Sequence, residues 1–387
     1  MENILYHPSP TLAVPRLTHS LCLRPISRFI CNLPGKPSLG CCFNTRRRPG
    51  NVKASAGASH CEFSSLNSPL EPKSHVGKFL SGVLQNHRQM FHVAVAEELK
   101  LLVDDRDAAA ARMALTTGSD EDLLHRRIAQ MKEHECEIAV QDVMYLLIFY
   151  KFSEIRVPLI PKLSKCTYNG RLEILPSKDW ELESIYSLGI LDLIREHVTS
   201  MTGLKAKSSV TETWATTEIQ EFLLARIYVA SILYGYFLKS ISLRYHLERS
   251  LSVANHGDHR TTLTIRDPHA YEIKDIIFGL MGNNQSVGQG VMKQEEEIKD
   301  MKCYVTGFHP GLLERFAKLR SKEAVNLVES YSLALFGNEE SGLVESNNVI
   351  LTSFSTLKRL VLEAVAFGSF LWETEDYIDS VYKLRDN

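Results

Sequence analysis

Apolar residues recur at helical spacing along most of the chain. A first stripe runs through Val76, Phe79, Leu80, Leu84, Phe91, Val95, Leu99 and Leu102, with Asp104, Asp105 and Asp107 expected to interrupt it. Residues 108–114 are Ala-rich. Ser119 and the acids Asp120, Glu121 and Asp122 then open a long helix, with negative charge where the helix dipole favours it. That helix carries a charged, exposed stretch over residues 125–134. It continues into residues 138–152, apolar nearly all round, as a buried helix is. Pro158 and Pro161 end it. Asn169-Gly170 between two short β-capable runs predicts a small hairpin within residues 162–175. Helical spacing returns over residues 180–199, and residues 205–216 read as a loop.

Thr217 followed by Gln220 has the form of a capping box and predicts the start of the strongest helix, running to about Leu251. Its centre, residues 227–238, has no charge, but Arg226 and Lys239 bracket it. A membrane span needs roughly 20 apolar residues, so this segment reads as a core helix and no transmembrane segment is expected. Residues 252–302 read as a linker with one short helix near 271–280. A last helical block follows over 312–336 and 354–384. The expected fold is all-α, a multi-helix domain with a minor hairpin.

Sliding the chain against itself by 133 residues aligns the central helix with the last one. Over residues 224–238 five positions are identical: Leu224 with Leu357, Arg226 with Arg359, Gly235 with Gly368, Phe237 with Phe370 and Leu238 with Leu371. Ordinary residue usage predicts roughly one match. Two related helical units follow, residues 76–251 with an insertion over 104–216, and residues 303–387. Residues 79–102 and 312–336 are candidates for their matching first halves, though too few identities decide it. A mid-helix Gly costs about 1 kcal/mol relative to Ala, so retaining Gly235 and Gly368 points to a close helix crossing.

The first 54 residues have a different character. They hold one acid, Glu2, against eight Lys and Arg, are rich in Ser, Thr and Pro, and end in Val52-Lys53-Ala54. This is the composition of a plastid transit peptide, and a mitochondrial presequence shares its Arg-rich, acid-poor character. Residues 55–75 read as a flexible segment. Beyond residue 54 the chain has 36 basic and 45 acidic side chains, near net −9. An acidic body gives no specific nucleic-acid signal. Cys61, Cys136, Cys166 and Cys303 are widely separated and form no CxxC, which fits a reducing compartment.

Candidate chemistry is sparse. Asp142 and Arg226 each have apolar neighbours one turn away on both sides. That suggests a buried structural pair, because a lone buried charge costs several kcal/mol. The run from Glu133 to Glu137 lacks the spacing of a helical metal site, and His256 and His259 flank only Gly257-Asp258 in an expected loop, so no metal is expected. Residues 282–290 lack the ending of a phosphate loop, and no cofactor or nucleophile motif occurs. One local patch combines Lys151, Arg156, Lys162, Lys165 and Arg171 with Phe149, Tyr150, Phe152 and Tyr168. On an acidic protein it is the surface best suited to an anion.

Several stretches resemble the chloroplastic UV-B-induced proteins of plants: residues 125–136 (HRRIAQMKEHEC), 150–158 (YKFSEIRVP), 169–174 (NGRLEI), 176–183 (PSKDWELE) and 232–238 (ILYGYFL). That family is built on a domain of unknown function with relatives in cyanobacteria. The resemblance implies a plastid location and a link to light or UV-B stress, and supplies no catalytic residue. The expectation is a stromal, non-catalytic helical interaction protein whose partners are other plastid proteins. The alternative is an enzyme or small-molecule binder with a pocket near Asp142, Arg226 and Arg359. Peripheral thylakoid contact is a third possibility.

Overall fold

The computed structural model describes residues 68–203, 215–256, 301–337 and 348–387. The expected transit segment, most of the flexible segment, the loop after residue 204 and nearly all of the 252–302 linker lie outside these residues, as does His259. All described residues belong to one compact unit, Ser59–Asn387.

The fold is predominantly helical. Helix α1 (His75–Asn86) is capped by the Ser74 hydroxyl, which accepts from the Gly77 N–H. A 3₁₀ turn (Arg88–Met90) leads into α2 (Phe91–Leu115), so the single expected stripe is broken after Asn86 rather than at Asp104. Aspartates without Gly or Pro do not stop a helix whose buried face continues, here through Leu102 to Ala109. Helix α3 (Asp122–Glu154) has no buried residue before Cys136 and is mostly buried thereafter, following its charged-then-apolar sequence. A short helix α4 (Leu163–Cys166) precedes the hairpin β1 (Thr167–Tyr168) and β2 (Arg171–Leu172). Asn169 and Gly170, both at positive φ (51° and 74°), make its turn. The expected helix over 180–199 is two, α5 (Asp179–Glu183) and α6 (Leu188–Thr202).

Residues Thr216–Gln220, expected to open a helix, form strand β3, and α7 (Glu221–His256) starts after it. The partner of β3 is β4 (Val349–Ser353), far along the chain and therefore invisible to a local capping pattern. Helices α8 (Pro310–Ala317) and α9 (Lys322–Phe336) lie before β4, and α10 (Phe354–Tyr382) follows it. The four strands form one mixed sheet in the order β1-β2-β4-β3, with β2 and β4 parallel and the other pairs antiparallel.

The 133-residue offset organises this architecture. Both β3 and β4, and the starts of α7 and α10, are related by it. In the β3–β4 ladder Glu218 pairs with Leu351, its own equivalent, which places a pseudo-two-fold axis through that pair. The helix crossing obeys the same symmetry. A Cβ on Gly235 would overlap the Val365 carbonyl, and one on Gly368 would overlap the carbonyl of Ile232, the equivalent of Val365. The offset also carries α6 onto α9, and each packs across the axis, α6 on α10 and α9 on α7. The helix that matches α9, itself within the expected 312–336 block, is thus α6 rather than residues 79–102. The expected insertion, residues 104–216, contains α6.

Helix α10 is the centre of the molecule: every residue from Arg359 to Leu371 is buried. Helix α7 is long and apolar enough to cross a membrane by length and composition, but half of its most apolar window is buried in the protein. The approach of its Gly235 backbone to α10 explains why it carries a glycine in mid-helix.

Candidate functional site

Asp142 and Arg226 do not meet. Asp142, 5 % exposed, accepts from the backbone N–H groups of Lys73 (2.9 Å) and Ser74 (2.6 Å), so its carboxylate sits at the positive end of α1. Gly77 is required there, since a Cβ would lie 2.5 Å from Asp142 Oδ2. Arg226 is exposed and lies over the ring of Phe222 on its own helix, 5.8 Å from the centroid. The buried charge pair is instead Arg359 with Glu363, one turn apart on α10, at 2.8 Å. The duplication explains the difference: the residue one turn after Arg226 is Ala230, so only the second copy supplies the acid.

Glu363 is fully buried and well supplied with donors. Its two oxygens accept from the Ile160 N–H at 3.1 and 3.2 Å, and the Tyr228 hydroxyl donates at 3.4 Å. Burial pushes its carboxyl above the usual range, against the opposing Arg359 charge. Arg359 Nη2 also donates to the Pro158 carbonyl at 2.9 Å, while its buried Nε and Nη1 have no hydrogen-bond partner. A second buried carboxylate, Glu375, accepts from the Tyr236 hydroxyl (2.5 Å) and from the backbone and hydroxyl of Ser321 (2.7 and 2.5 Å). Neither acid was singled out by its sequence, although Arg359 and Glu363 at i,i+4 inside an apolar run carried a readable signal.

The cationic residues divide between two surfaces. Lys151 is drawn into a triad in which Glu373 bridges Lys151 and Lys239, each at 2.5 Å. Burial pushes the Glu373 carboxyl up, and the two lysines outweigh it and hold it below its ordinary range. Arg156, Lys165 and Arg171 are exposed on and around the hairpin, with Lys162 half-buried before α4. The sheet registers place Tyr168, Arg171, Leu351 and Glu218 in one row across all four strands. Strand periodicity puts that row on the outer face, and Glu173 and Leu175 beyond β2 continue the alternation.

A further surface, apart from the cationic ones, is the outer half of the α2–α3 hairpin. Leu115, Leu123, Leu124 and Met131 are 86, 77, 59 and 56 % exposed, and Leu124, Ile128 and Met131 form one stripe on α3. From Asp122 to Glu135, α3 extends about 20 Å with no buried side chain. Glu133 and Glu137 both pair with Arg385, which accounts for two acids of the charged run. Among the described residues no group of three or more His, Cys, Asp or Glu converges as a metal site would.

Comparison with known proteins gives this geometry a family. Residues 123–251 match the model of a protein family of unknown function, DUF760. A chloroplastic UV-B-induced protein of Arabidopsis thaliana is 32 % identical over 358 residues, covering 87 % of this chain and 83 % of its own length. The chain belongs to the chloroplastic UV-B-induced protein family. No solved structure matches it. The DUF760 segment runs from α3 through most of α7, and so includes Asp142, the β1–β2 hairpin and one copy of the strand–helix unit. It stops short of β4 and α10, which hold Arg359, Glu363 and Gly368 and complete both sheet and core.

Proposed function

We propose that this protein acts in the chloroplast stroma in the response to UV-B or light stress, as a non-catalytic interaction protein whose partner-binding surface is the projecting α2–α3 arm. The supporting observation is the Leu124, Ile128, Met131 stripe on an arm without a third layer. Exposed contiguous apolar surface marks interaction sites on soluble proteins. Elsewhere the buried ionisable groups are turned to structural work: Asp142 caps α1, Glu363 ties α10 to the 158–160 segment, and Glu375 ties it to Ser321. The UV-B and chloroplast assignments rest on the Arabidopsis relative. A photo-crosslinking residue at position 128 is expected to give a discrete protein adduct in stromal extract. An equal spread of adducts from position 128 and from an exposed control position such as Gln130 would argue against the arm.

The alternative reading, a small-molecule binder, has one observation in its favour, the two unpartnered buried nitrogens of Arg359. Native mass spectrometry of protein isolated from plastids tests it. A stoichiometric bound molecule, absent from Arg359→Met, would favour this alternative over the interaction reading.

A further inference from the structure

The hairpin and the helix after it present an outward surface that neither the arm nor the core explains. Tyr168 is 80 % exposed, Leu175 72 % and Trp180 81 %, three large side chains within thirteen residues. Tyr168 stands directly across the turn from Arg171, and Leu175 continues the same alternation. From Arg156 to Glu173 the chain has four Lys and Arg and one acid, Glu173, which pairs with Arg171 at 2.7 Å. The acids of α5 that flank Trp180 are engaged within the protein. Asp179 and Glu183 share Lys358 at 3.1 and 3.2 Å, Glu183 also binds Arg195, and Glu181 binds Lys178. Trp180 therefore projects from a helix whose negative charge is neutralised locally, beside a segment with surplus positive charge on a chain that is acidic overall.

We infer that this face docks the protein peripherally on an anionic lipid surface. A Trp on the first turn of α5, a Tyr in the hairpin and a Leu just beyond it, in a segment that carries Lys and Arg, match the amphipathic chemistry of a membrane interface. The aliphatic Leu175 favours lipid over the base-stacking platform of a nucleic-acid binder, which uses aromatic rings alone with cations. The sheet and α10 hold the hairpin and α5 in place through the β2–β4 pairing and the Lys358 bridges, so docking needs no refolding. Lys165, Arg171 and Trp180 lie outside the α2–α3 arm, so this face and the arm stand or fall separately.

The test is sedimentation of the full chain with vesicles of phosphatidylglycerol and phosphatidylcholine against vesicles of phosphatidylcholine alone, at low and at physiological salt. The variants are Lys165→Glu/Arg171→Glu, Trp180→Ser and, as a control, Leu124→Asp/Met131→Asp. Each basic side chain near an anionic surface contributes roughly fivefold to partitioning. The double charge reversal is therefore expected to lower binding to the anionic vesicles at least tenfold, and Trp180→Ser several-fold. The arm variant should bind as the wild type does, and all should keep the same circular dichroism and melting temperature. Because every variant retains the basic N-terminal segment, the difference isolates the hairpin face. Equal binding of wild type and charge-reversed protein would overturn the inference. So would a phosphatidylglycerol-independent loss of binding to single-stranded RNA or to a stromal protein, either of which would reassign the face.

Discussion

Arg359 and Glu363 show how one residue pair fixes the interior. Both are essentially inaccessible, and Glu363 draws together α10, α7 through Tyr228 and the 158–160 segment. Removing one partner strands the other charge, at a cost of about 3–5 kcal/mol. Arg359→Met and Glu363→Gln are each expected to destabilise by that order in urea unfolding, and the double variant by clearly less than their sum. Additive losses would show that the pair is not coupled. His197 gives a second test. Its ring stacks on Tyr234 (4.1 Å between centroids) and its Nε2 lies 3.0 Å from Ser231 Oγ, and burial lowers its pKa to about 4. The unfolded chain, titrating near 6.5, binds the proton more readily between those values, so the contribution of neutral His197 is full above about pH 6.5 and is lost as pH falls toward 4. Of order 1–3 kcal/mol is at stake. His197→Gln should flatten the fall in unfolding free energy between pH 6.5 and 4.5, and an unchanged slope would remove His197 as its source. The Asp142–Arg226 pairing fails at this scale for a legible reason: apolar neighbours predict burial, but only Asp142 is buried, and its partners are backbone amides that no side-chain pattern announces.

Among the elements, the α7–α10 crossing makes the sharpest demand on sequence. The two glycines were readable because a mid-helix Gly is costly and both copies kept it. What could not be read is that they face carbonyls in reciprocal positions across an axis. Gly235→Ala and Gly368→Ala each force a Cβ onto backbone, which cannot move as a side chain can. Each is expected to lower stability by at least about 3 kcal/mol, beyond ordinary overpacking. Gly82→Ala on α1, where a Cβ meets nothing within 4 Å, should be neutral or stabilise by up to about 1 kcal/mol. Thermal melts of the three variants compare them directly, and similar effects at all three positions would contradict the crossing. The Asn-Gly hairpin was legible because its turn chemistry is local. Strand β3 was not, since its five residues gain their hydrogen bonds from a strand 133 positions away.

For the whole molecule, the periodicity gave a helical protein with an internal repeat, and the structure shows where the repeat lies: α6, β3 and α7 against α9, β4 and α10, exchanged across one core. Helices α2 and α3 pack onto that core and α1 packs onto them, and the outer half of the α2–α3 hairpin leaves it. On the proposed reading, stability belongs to the duplicated unit and recognition to the arm, which was visible beforehand only as a charged stretch between residues 125 and 134. The most direct measurement is affinity purification from intact chloroplasts after UV-B exposure, comparing wild type with Leu124→Asp/Met131→Asp, with matched melting temperatures for the two proteins. The interaction reading predicts a reproducible plastid protein that co-purifies with the wild type and falls at least tenfold with the arm variant. The same protein recovered in equal amount from both, or a bound small molecule with no protein partner, would contradict it.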